Sequence, residues 1–140
     1  MEQTVSLFVS ERVEDYYRNQ HLNCAQTTLN VLAEKFDVKL DSQILDGSIG
    51  LNGAGQYRAQ CGLVEGVLIF MGIYLKSLKM DKNDIQKTCN SFASEFETKF
   101  GSLSCSVLRP NGFNDSDPPQ LCEDLSKLTI LFAIEFISPF

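Results

Sequence analysis

The segment Cys61 to Leu78, CGLVEGVLIFMGIYLKSL, constrains the fold more than any other part of the chain. It stays apolar for longer than a typical strand and therefore reads as a buried helix, although Val67 to Phe70 alone would suit a strand. Its longest uninterrupted apolar run, Val67 to Leu75, contains a glycine and falls well short of the ~20 residues that cross a bilayer. No transmembrane segment is expected. Gly62 and Gly66 lie four residues apart and would let a neighbouring backbone approach this helix closely.

Helical spacing continues on both sides. Val5, Phe8, Val9, Val13, Tyr16 and Tyr17 recur at the helical period, with Glu11, Arg12, Glu14 and Asp15 on the other side. Asn23 is a good N-cap for a second helix bearing Ala25, Leu29, Leu32, Ala33 and Phe36. A short helix follows Asp41 and ends in the glycine-rich run GLNGAG, Gly50 to Gly55, expected as a flexible turn delivering Cys61. Asp81 caps the next helix, which carries Ile85, Cys89, Phe92, Phe96 and Phe100 and stops at Gly101. A polar loop, Arg109 to Pro119, precedes the last helix, for which Asp117 is the expected cap, with Pro118 and Pro119 in the first turn and Gln120 closing a capping box. From Leu128 to Ile137 that helix is apolar on nearly every side, so it is either the central core element or a homodimer surface. There is no internal repeat and no linker. Residues 1–140 read as a single all-α domain, a compact bundle of five or six helices.

The charge balance narrows the function. Twelve Lys and Arg against eighteen Asp and Glu give a net charge of -6 and leave no basic stripe, which argues against DNA or RNA as a partner. The N-terminal MEQTVSLFVSERVED has no basic leader followed by an apolar stretch, so a cytoplasmic location is expected. In that compartment the five cysteines point to thiols or metal ligands rather than structural disulfides.

No two cysteines form a CxxC, which excludes a local zinc ribbon, a thioredoxin-type pair and the haem-attachment CxxCH. Any shared site must be assembled by the fold. Cys24 follows the cap Asn23, and Cys61 follows the glycine turn at a helix start. There, unpaired backbone N–H groups and the helix dipole favour thiolate over thiol. Arg58 would reinforce this at Cys61, the best candidate for the reactive sulfur; Glu65, one turn on, would oppose it or accept a proton. Cys105 lies just past a helix and Cys122 near the start of the last one. Cys89, mid-helix beside Ile85, Phe92 and Phe96, reads as core packing. His21, three residues before Cys24, could orient a thiolate, though a surface place at a helix junction suits it better. The GLNGAG run fits neither phosphate-binding glycine pattern.

The stretch Leu22-Asn23-Cys24-Ala25-Gln26, the glycine-rich turn, Cys61-Gly62-Leu63-Val64-Glu65-Gly66, Lys99-Phe100-Gly101-Ser102-Leu103-Ser104-Cys105 and finally Cys122 together resemble the C_GCAxxG_C_C family. These are small proteins described as redox-active and named for four cysteines and a CGAxxG element. The resemblance runs from about residue 10 to 130 in the correct order. Leu63 replaces the alanine of the element, and Cys89 is additional. The resemblance implies a redox role. Members are often encoded beside transporter genes, some are thought to carry selenocysteine, and a similar helical module occurs in haem proteins with an iron–sulfur site.

Three readings follow. In the first, Cys24, Cys61, Cys105 and Cys122 form a site for dithiol/disulfide chemistry with a redox partner protein or a small-molecule oxidant. In the second, the same four are metal ligands for a [2Fe–2S] cluster or zinc. The third is a helical oligomeric interaction module.

Overall fold

The computed structural model describes residues 2–109 and 122–140. These fold into eight helical segments: α1 (Glu2–Arg18), α2 (Cys24–Lys35), α3 (Ser42–Gly47), α4 (Gly53–Gln56), α5 (Gly62–Ser77), α6 (Lys82–Phe100), α7 (Cys105–Leu108) and α8 (Glu123–Ile137). Five are long enough to build a bundle; α3, α4 and α7 are short turns that shape its end. The chain is all-α. Among the described residues the sheet-like feature is an isolated antiparallel bridge between Gln60 and Ser104.

The helix starts follow local chemistry. The Asn23 side chain accepts the Gln26 N–H at 2.9 Å while the Gln26 side chain accepts the Asn23 N–H at 3.2 Å, a reciprocal capping box. Asp81 caps α6 through the Asn83 N–H, and Gly101 ends it in the left-handed conformation at φ 94°. The expected opening of the last helix at Asp117 to Gln120 lies outside the described residues.

α2 packs on α5, α1 on α8, and α5 on α6. Val9, Val13 and Tyr17 form the inward stripe of α1, each four residues from the next and each at most 1% exposed. On α5, Leu63, Val64, Val67, Phe70 and Met71 are buried, as the apolar run requires. A β-carbon on Gly66 would lie 2.8 Å from the Ala25 carbonyl oxygen and 2.9 Å from the Thr28 Cβ, so only glycine lets α2 come this close.

α8 finds most of its partners within the chain. Ile130, Ala133 and Ile137 are fully buried, while Phe132 and Phe136 pack on Phe92 with ring centroids 5.5 and 5.4 Å apart. Leu128 remains 55% exposed. The helix is therefore largely a core element. Beneath it, Glu123 is 7% exposed and is held by Arg18 at 2.8 Å and Lys127 at 3.2 Å, which locks α8 to the end of α1.

The glycine run contains a short left-handed turn. Residues 53–56 take φ values of 73°, 58°, 64° and 67°, one turn of left-handed backbone, which two glycines make accessible.

Candidate functional site

Four separate devices bring the helix ends to one place. The Asn23 amide donates to the Ile49 carbonyl at 2.7 Å, tying the start of α2, and with it Cys24, to the end of α3. The Cys61 N–H donates to the Leu103 carbonyl at 2.8 Å and the Cys105 N–H to the Ala59 carbonyl at 2.7 Å, on either side of the Gln60–Ser104 bridge. Side chains alternate along such a bridge, so Cys61 and Cys105 fall on the face opposite Gln60 and Ser104. The Arg58 guanidinium donates to the carbonyls of Ser106 and Arg109, at 3.1 and 3.0 Å, and staples α7 to the turn before α5. Cys122 caps α8, its carbonyl accepting the Ser126 hydroxyl at 2.7 Å.

The result is a cavity of about 90 Å³ lined by Cys24, Cys61, Cys105 and Cys122, together with Tyr17 and Arg109. Cys61 and Cys105 are 6% and 7% exposed, and all five cysteines are free thiols. The turn and α5 are fitted closely to the sulfurs. A β-carbon on Gly53 would sit 3.2 Å from the Cys105 Sγ, and one on Gly62 only 2.3 Å from the Cys24 Sγ. Cys89 lies elsewhere, half-buried on α6 against the core.

The expected acidity of Cys61 is corrected by burial. The Leu63 and Val64 N–H groups at the start of α5 do favour its thiolate, but removal from water outweighs them and pushes the thiol up to about 11. Burial pushes Cys24 higher, to about 12, with the negative charge of neighbouring thiolates adding to the effect. Cys105 is also raised by burial and by Cys122, against the opposing pull of Arg109 and Arg58. Arg109 Nη1 donates to the Cys122 Sγ at 3.6 Å.

The two proton acceptors considered from sequence stand apart. His21 is exposed at φ 55° in the α1–α2 junction, and Glu65 accepts a hydrogen bond from the Gln60 amide; neither lines the cavity. Tyr17 and Arg109 do line it, and sequence reasoning missed both as site residues. Tyr17 belongs to the apolar stripe of α1, and nothing local marks its hydroxyl as part of a site.

Among the described residues, which include all four cavity cysteines, no three His, Cys, Asp or Glu side chains are arranged to hold a metal ion. No helix among the described residues is long and apolar enough to cross a membrane.

No curated protein and no solved structure matches the chain. Residues 22–136, a span that includes all five cysteines, match the family model described as "Putative redox-active protein (C_GCAxxG_C_C)", and the chain belongs to this family.

Proposed function

We propose that the chain carries out dithiol–disulfide exchange at the four-thiol cavity, with Cys122 as the attacking sulfur and Cys105 as the resolving one. The observation that carries this reading is the gathering of Cys24, Cys61, Cys105 and Cys122 around one small cavity while Cys89 is left outside. Cys122 is chosen because the Arg109 guanidinium donates to its sulfur, whereas burial pushes up the thiol of Cys61, the first choice on helix position. Cys105 is chosen because it lines the same cavity as Cys122 and feels the charge of that sulfur.

Cys122 loses its proton to solvent and attacks one sulfur of a disulfide R–S–S–R. The Cys122–S–R bond forms, the R–S–S–R bond breaks, and the electron pair leaves on RS⁻. Cys105, giving up its own proton, then attacks the Cys122 sulfur and expels the second RS⁻. Two electrons pass from the protein thiols to the disulfide, and the two released protons are taken up by the two RS⁻ groups.

The test is mass-spectrometric mapping after anaerobically reduced protein is titrated with glutathione disulfide. A Cys105–Cys122 bond that forms first, and reverses with dithiothreitol, supports the assignment. Thiols that all stay free, or first bonds that involve Cys89, overturn it.

A further inference from the structure

Two hollows join along the seam between α1 and α8. The larger, about 720 Å³, has Val5, Leu131, Ile134 and Pro139 as its apolar lining. The smaller, about 330 Å³, is lined by Leu128, and because Ser6 and Leu131 belong to both, the two form one groove. Leu128, Leu131 and Glu135 follow one another at intervals of three and four, which sets them in one row along α8. At one end of the row Leu128 stands 55% exposed; at the other lies the apolar recess. The recess is flanked by charges of opposite sign, Lys35 from the last turn of α2 and Glu135 from α8. Both are exposed, and among the described residues neither enters an ion pair. The pairs that do form are Arg12–Glu34, Arg18–Glu123 and Lys127 with Glu14 and Glu123.

A surface that carries both a projection and a recess, and both a cation and an anion, matches itself when turned about a two-fold axis. In such a contact residue i meets residue j while j meets i. We propose that the α1–α8 groove is the docking surface for a second copy of this chain, with Leu128 of each copy seated in the apolar recess of the other and Lys35 of each facing Glu135 of the other. A partner surface of a single sign would satisfy only one of the two charges; a second copy satisfies both. The net charge of -6 makes two copies repel in general, so the local match of Lys35 with Glu135 selects this face for the contact. The groove shares no lining residue with the thiol cavity, and the pairing is independent of the exchange reaction.

The test is sedimentation equilibrium of the full chain under reductant, which excludes cross-linking through the thiols, with circular dichroism confirming the fold of each variant. The unmodified chain should dimerise in the micromolar range. Lys35→Glu and Glu135→Lys each set like charges against one another twice per dimer, and each should raise the Kd about tenfold or more. Glu135→Lys also lowers the magnitude of the net charge, so a weaker dimer there cannot come from general repulsion. The double variant exchanges the two charges, restores the match, and should return the Kd to near its original value. Leu128→Asp should abolish the dimer, because a carboxylate cannot fill an apolar recess. The proposal is overturned by an unmodified chain that stays monomeric throughout the micromolar range, or by single charge variants that pair as tightly as it does. A double variant no tighter than the singles, or a Leu128→Asp chain that still pairs, overturns it equally.

Discussion

Gly62 lies so close against Cys24 that a β-carbon at position 62 would stand 2.3 Å from the Cys24 Sγ and 2.4 Å from the Leu51 carbonyl oxygen. The first glycine of α5 thus belongs both to the packing of α2 on α5 and to the wall of the thiol cavity. Gly62→Ala must displace a sulfur and a backbone at once. It should destabilise the fold by about 1–3 kcal/mol, as overpacking does. Gly72→Ala is the matched control in the same helix, where an added β-carbon meets nothing within 4 Å. That variant should gain about 0.5–1 kcal/mol from helix propensity. Urea denaturation of the two variants reads the contrast directly.

Alkali should destabilise the reduced protein through its buried thiols. Cys24 and Cys61 are raised from an ordinary 9.0 to about 12 and about 11, so the folded state holds their protons more tightly than the unfolded chain does. The stability this contributes is complete below pH 9 and is lost as the pH climbs through the interval up to the folded values. The melting temperature under reductant should therefore fall between pH 9 and 11. Cys24→Ala should have a shallower decline across that window; an unchanged slope would show that Cys24 is not held protonated by the fold.

Thiol labelling should separate the five cysteines. At neutral pH a small alkylating reagent should modify Cys122, whose sulfur receives the Arg109 guanidinium, before Cys61 or Cys24. Arg109→Gln should slow Cys122 several-fold and leave Cys24 unchanged, because a charge-assisted donor is lost only at Cys122. Time-resolved peptide mapping provides the order.

Cys89 should be dispensable for the chemistry. It is half-buried on α6 and packs on the core away from the cavity, so Cys89→Ala should cost about 1 kcal/mol or less. The number of electrons taken up per chain in a redox titration should not change. A lower count would place Cys89 in the reaction.

What the sequence disclosed and what it withheld divide along contact distance. Asn23, Asp81 and Gly101 are read correctly as helix ends because capping involves residues within one turn. The stripe Val9–Val13–Tyr17 and the burial of Val64, Val67 and Phe70 follow from local periodicity in the same way. The placement of Cys105 does not, since it depends on Cys61 and Ala59 pairing across more than forty residues. The Tyr17 hydroxyl finds its partner 109 residues away. The acidity of Cys61 departs from its local expectation for a related reason. Its place at a helix start is local and visible, while the depth of burial that overrides it is set by the whole fold.

The order of the cysteines along the chain has a consequence for biosynthesis. Cys24, Cys61 and Cys105 all precede α8, and Cys122 is fixed by α8 itself through the Ser126 back-bond and the Arg18–Glu123 pair. During translation, at roughly 5–20 residues per second, the first three thiols emerge while the wall of the cavity is still missing. The fourth is locked in only when α8 docks on α1. The last of the four cavity cysteines in the chain is thus also the last to take its place in the fold.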